Sequence, residues 1–293
     1  MRRRSIVAIL FLILALVLPV AVAAEDPPGP TPRLLYRVAG LPVAGPAEMV
    51  TFVADFPPGA ATPAHTHPGQ VLVTVLEGAI TFRTAGGEKV YKVGESFIEP
   101  PGVVVTGVNT GTTRTRLMVS MVIPKGVPPS APQPGGPTPA PAAPTNLYLA
   151  RADAVLPANP YEVAQSVVDF VPGAQTPAHT HPGQVFVTVL EGEVTFRMAG
   201  GEKVYKLGES FIEPPGVVVA GVNTGTTRTT LLVTYLLPQG AALATPVATP
   251  GMPNTGAGGP AQRALAPLVA LLLAGLLLAG SWGRRHRRHA PVR

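Results

Sequence analysis

Short apolar runs separated by polar turns fill the middle of this 293-residue chain. Met49 to Phe56, Val71 to Leu76, Ile80 to Thr84, Lys89 to Lys92, Ser96 to Glu99, Val103 to Val108 and Thr113 to Ile123 are rich in Val, Ile, Thr and Phe, side chains that suit a pleated, half-buried surface. Glu77-Gly78, Ala85-Gly86-Gly87 and Asn109-Thr110-Gly111 stand between them as turns. No stretch between the termini carries the apolar period of a helix. The pattern predicts an all-β sandwich or closed barrel of about 90 to 110 residues, an ordinary domain size.

The same pattern occurs twice. Pro63 to Gly126 aligns without gaps on Pro177 to Gly240 at an offset of 114, and these 64-residue windows differ at 13 positions. Two tandem barrels follow, over residues 25–123 and 146–237. Seven of the 13 differences fall between Arg116 and Lys125 and their counterparts, so the last strand is where the two units are expected to pack differently. Residues 124–145 and 238–263 are poor in charge and rich in proline. Proline fixes its own φ and lacks a donor, so the first reads as a stiff linker without regular structure and the second as a stalk.

The ends carry topology signals. Arg2-Arg3-Arg4 leads into an apolar run and then Ala21-Val22-Ala23, which predicts a secretory signal over 1–24. Arg3-Arg4-Ser5 faintly resembles a twin-arginine signal, while three arginines before an apolar run also suit the general secretory route. Ala264 to Trp282 is a run of 19 residues without charge, near the roughly 20 that span a bilayer as a helix. The arginines of the tail, 283–293, mark its cytoplasmic side. The barrels are thus expected outside the membrane. Met252-Pro253-Asn254-Thr255-Gly256, with the apolar run and basic tail behind it, resembles a Gram-positive sortase sorting signal in which Met252 replaces the usual leucine. The protein is read as exported, either a single-pass membrane protein or attached to the wall by a sortase.

Charge changes meaning once these ends are set aside. Of 22 Lys and Arg, eight lie in 1–24 and 283–293, whereas all 16 acids lie between. The exported part is slightly acidic, and nucleic-acid binding is excluded. With no cysteine in the chain, disulfides, thiolate catalysis and cysteine-ligated metals are excluded too.

Each unit has one histidine pair, His65-Thr66-His67 and His179-Thr180-His181. Residues i and i+2 of a strand share a face, so both rings can meet one ion. With Gly59, Gly78, Gly94, Pro100-Pro101-Gly102 and Asn109, and their counterparts Gly173, Gly192, Gly208, Pro214-Pro215-Gly216 and Asn223, the pair resembles the two sequence motifs of the cupin superfamily. The resemblance covers both units and implies two tandem jelly-roll barrels, a bicupin.

It also implies a site of three histidines and one carboxylate, and there this chain departs. The glutamate position falls on Val71 and Val185, and the second-motif histidine on Val105 and Val219, so these valines are expected to line a pocket. Gln70 and Gln184 precede the glutamate position by one residue and would turn inward only at a bulge. Glu99 and Glu213 are the remaining carboxylates, read first as solvated or turn-capping charges and second as metal ligands. Two imidazoles alone make a weak centre. The expectation is at most a weakly held divalent ion, or a neutral hydrogen-bonded pair.

Three functions fit. The leading one is a tethered, non-enzymatic bicupin that binds a small molecule or a cell-surface component. The second is a metal-dependent enzyme of the dioxygenase, isomerase or decarboxylase type, and the third a structural spacer, which a fully packed barrel interior would favour. Pairing of cupin barrels with one another is a further expectation.

Overall fold

The computed structural model describes residues 28–134 and 142–247. The predicted signal, the sorting-like motif, the predicted transmembrane helix and the basic tail lie outside these residues. Among the described residues no helix is long and apolar enough to cross a membrane.

The described chain is built of strands: β1 (Thr31–Ala39), β2 (Ala47–Phe56), β3 (His65–Thr66), β4 (Gln70–Glu77), β5 (Ala79–Thr84), β6 (Gly87–Lys92), β7 (Ser96–Glu99), β8 (Thr106–Val108), β9 (Thr115–Pro124) and β10 (Ala131–Pro132) come first. Then follow β11 (Thr145–Ala154), β12 (Tyr161–Phe170), β13 (His179–Thr180), β14 (Val185–Glu191), β15 (Glu193–Met198), β16 (Gly201–Lys206), β17 (Ser210–Glu213), β18 (Val219–Val222), β19 (Thr229–Pro238) and β20 (Thr245–Pro246). In barrel 1 a sheet in the order β11-β2-β9-β4-β7 faces β6-β5-β8, which the bridge between His65 and Val105 joins to β3 and β10. Barrel 2 repeats this with β1-β12-β19-β14-β17 and β16-β15-β18-β13-β20.

The barrels exchange their first strands. β1 pairs antiparallel with β12 of barrel 2, and β11 pairs with β2 of barrel 1. Segments 25–123 and 146–237 therefore each send one strand to the other's sheet. Without it, β2 and β12 would be sheet edges with a row of unpaired backbone groups.

Alternation along β9 sets the packing. Leu117, Val119, Met121 and Ile123 point into barrel 1, whereas Met118 and Val122 pack on Val167, Leu232, Val163 and Leu236 of barrel 2. Ser120 Oγ lies 2.8 Å from Thr234 Oγ1. These two residues are equivalent in the repeat, so a local two-fold passes between them. A strand buried on both faces has no place for charge, which accounts for the apolar run 117–123 and its copy.

The proline-rich segments depart from expectation. Composition predicts a linker without regular structure from 124 and a stalk from 238, yet β10 pairs with β3 and β20 with β13. Gln133 N donates to Ala64 O at 2.9 Å and Val247 N to Ala178 O at 2.8 Å. Each segment is strapped across the histidine strand of the barrel it leaves, because a two-residue ladder needs no apolar period and the residue after each proline supplies the N–H that proline lacks.

Candidate metal centre in each barrel

The histidine strands are fixed from both sides. His65 N and O exchange hydrogen bonds with Val105 O and N at 3.1 and 2.9 Å, and His179 pairs with Val219. The rings of His65 and His67 are 4.7 Å apart at 88°, and those of His179 and His181 4.7 Å apart at 90°. His67 and His181 are buried.

All four histidines spend the same nitrogen on backbone. Nδ1 lies 2.8 Å from Pro63 O in His65, 2.7 Å from Pro129 O in His67, 2.8 Å from Pro177 O in His179 and 2.6 Å from Leu243 O in His181. A carbonyl only accepts, so each Nδ1 carries the hydrogen and each neutral ring presents its Nε2 lone pair. Pro129 and Leu243 belong to the straps, which thereby set the tautomer of the second histidine in each pair.

Glu99 and Glu213 join these nitrogens, which corrects their reading as solvated or turn-capping charges. Antiparallel pairing puts Glu99 opposite Val71 on β4, and Val71 opposite Met121 on β9; Glu213, Val185 and Tyr235 repeat the row. Directly paired residues share a face, so the carboxylate enters from the strand beside the valine. Phe97 is a core residue, and Glu99, two positions later, shares its inward face. That parity was the available signal.

Ligating atoms of His65, His67 and Glu99 lie within 4.8 Å of one another, and so do those of His179, His181 and Glu213. His67 Nε2 is 2.8 Å from Glu99 Oε2, but without hydrogen-bond alignment, and it has no other partner. His181 Nε2 is 2.6 Å from Glu213 Oε2 and 3.0 Å from His179 Nε2. Two neutral rings with hydrogen on Nδ1 oppose lone pair to lone pair at that distance. Only a positive charge, a proton or a metal ion, reconciles them. The donor sets fit a metal.

Protonation follows the same geometry. Burial pulls the His67 and His181 imidazolium ions down, but the adjacent Glu99 or Glu213 carboxylate and the strap carbonyl outweigh it, leaving both above the usual histidine value. His179 ends below that value, because burial and the neighbouring His181 exceed the help from Pro177 O and Glu213. Burial first, then the Glu213 charge, push the Tyr235 phenol far up.

The other expected site residues fall in two places. Val71, Val105, Val185 and Val219 are fully buried core residues, two beside the glutamates and two beside the first histidines in the ladders. Gln70 accepts from Leu41 N and donates to Ala39 O, and Gln184 does the same with Val155 N and Asp153 O. Both amides are used to tie down the ends of the exchanged strands.

Barrel 1 contains a cavity of about 380 Å³ lined mainly by apolar side chains, among them Val50, Phe56, Val73 and Leu117, with His65, His67, Glu99 and Met121 in its wall. Pro129, Ser130 and Pro132 of the strap also line it.

Residues 52–122 and 166–235 each match the Cupin domain family. Over 86 residues the chain is 34% identical to germin-like protein 3-5 of Oryza sativa subsp. japonica and 31% identical to oxalate oxidase 2 of Hordeum vulgare, covering 26% of this chain in each case. The chain spans 38% of the length of these curated relatives. Among solved structures, vicilin from Corylus avellana (hazelnut) superposes with a TM-score of 0.52 at 12% identity, covering 82% of this chain and 93% of that one. Twin barrels, paired histidines at the first motif and two separate matches to the Cupin domain family, one in each barrel, support the reading of this chain as a bicupin.

Proposed function

We propose that this chain is a metal-dependent bicupin in which each barrel holds one divalent transition-metal ion on two histidines and a glutamate. The observation that supports it is the common orientation of the four rings: every Nδ1 is committed to a carbonyl, which leaves every Nε2 off the backbone, and each histidine pair groups with one glutamate, ligating atoms within 4.8 Å of one another. Two histidines and a carboxylate leave coordination positions open, and a bound ion would polarise a small molecule entering from the cavity. The volume and apolar wall of the barrel 1 cavity favour a small, largely apolar molecule with a polar end that reaches the ion. They speak against the spacer reading, which needs a filled interior. The shared segment with oxalate oxidase 2 favours oxidation of a small carboxylate as the first reaction to assay. Non-catalytic binding of such a molecule is the alternative.

Metal analysis of the full chain tests the reading. After equilibration with Mn(II), Fe(II), Co(II) or Zn(II), two ions per chain are expected, falling to one in the double variant His67→Ala, Glu99→Gln. Metal at background level under all four conditions would sink it. Tethering outside the membrane, inferred from residues 1–24 and 252–288, forms part of the proposal; protease added to intact cells should remove both barrels, and their protection would overturn the topology.

A further inference from the structure

Of the equivalent inward positions that differ between the barrels, among them Val50/Ala164 and Phe52/Ser166, one exchanges a potential metal donor. Met121 and Tyr235 occupy equivalent inward positions, each opposite the valine that is itself opposite the glutamate. The Tyr235 ring lies 5.8 Å from that of His181, which shows that a long side chain here reaches the second histidine. Met121 is 2% exposed and lines the same cavity as His65, His67 and Glu99.

We propose that the two centres have diverged in metal preference: both take a divalent ion, but barrel 1, where the Met121 thioether joins His65, His67 and Glu99, also binds copper(I) tightly, and barrel 2, with Tyr235 in that place, does not. The inference rests on the two-histidine, one-glutamate reading above. A thioether is a soft donor that selects Cu(I), whereas imidazole and carboxylate accept a range of harder first-row ions. Methionine is unbranched with three rotatable bonds, so its sulfur can move to an ion held by the rings beside it. The neutral phenol of Tyr235 offers no comparable soft donor. One duplication thus yields two divalent-ion centres on the same frame, one of which also takes a soft ion.

Competition against a chromophoric Cu(I) chelator, under anaerobic reducing conditions on the full chain, tests this. Co(II) titration reports the histidine–glutamate sets separately. One tight Cu(I) per chain is expected in the unaltered protein, with a sulfur neighbour in its X-ray absorption spectrum. Met121→Leu should lose that neighbour and weaken Cu(I) at least about tenfold, the scale of losing one supporting group at a metal site, with Co(II) binding unchanged. Tyr235→Met should create a second tight Cu(I) site. If Met121→Leu keeps full Cu(I) affinity, or Tyr235→Met adds none, while Co(II) still binds, the divergence is wrong and the underlying centre stands. If Co(II) binds to none of the three proteins, the underlying centre itself fails.

Discussion

Barrel 1 and barrel 2 hold the same two histidines and glutamate in the same hydrogen-bond frame, yet residues 117–123 of β9 and 231–237 of β19 differ at Met118/Leu232, Ser120/Thr234, Met121/Tyr235, Val122/Leu236 and Ile123/Leu237. The outward members of this set touch the opposite barrel, where Ser120 meets Thr234 across the local two-fold. A duplicated barrel that packs on its own copy has one new environment to fit, and it lies on this face. Because alternate residues of the same strand line the interior, divergence reached the metal centre along the same strand. In the rest of the duplicated window most ladder pairs are unchanged, as Arg83–Glu88 and Arg197–Glu202 illustrate, both at 2.9 Å.

The largest effects are expected where backbone, not side chain, fills space next to the histidines. A Cβ on Gly183 would stand 1.7 Å from Leu236 O, and one on Gly69 2.1 Å from Val122 O. Neither carbonyl can swing away, since each belongs to the central strand of its sheet. Gly183→Ala and Gly69→Ala are each expected to cost more than about 3 kcal/mol, in the range reserved for steric conflict in a core, and to displace His181 or His67, two residues away. Urea unfolding monitored together with metal content checks this: each variant should lose the ion of its own barrel first. Unfolding at the unaltered midpoint with two ions retained would show that the loop yields freely and does not position the ligand.

The barrels were legible in the chain because each strand carries its own alternation and each turn its own glycine. Gly78 and Gly192 adopt φ of 72° and 69° at the turns where sequence placed them. The histidine pairs were legible for the same local reason. Glu99 was harder, because its meaning lies in register: only the ladder that sets it opposite Val71 shows that the carboxylate has moved one strand sideways from the family's position. Strand exchange left no local mark at all. β1 and β11 lie outside the duplicated window, and an extended segment does not by itself encode which of two sheet edges it will join. The straps were hidden by proline content, which argues against long ladders but permits the two-residue pairings and single carbonyl contacts that fix His67 and His181.

A smaller effect separates proton from metal at the same place. In the metal-free protein the folded pKa values of His67 and His181 are raised, mainly by Glu99 and Glu213 overcoming burial. Folding then binds protons, so this contribution is fully present below the ordinary histidine value of about 6.5 and is lost as pH rises through the folded values. His179 opposes it in barrel 2: its lowered value favours the fold above about 6.5 and is lost as pH falls. Barrel 2 should therefore answer acid less steeply than His181 alone would make it. The metal-loaded protein should behave in the reverse sense, because an ion on neutral imidazoles is displaced by protons and its stabilisation disappears as pH falls. Thermal midpoints with chelator and with Zn(II), compared near the two sides of that value, should thus have slopes of opposite sign. The double variant Glu99→Gln, Glu213→Gln should flatten the chelated series, since the proton at His67 and His181 loses its partner. Parallel slopes with and without metal would mean that proton and ion do not compete for the same nitrogens, and would remove these histidines from the ligand set.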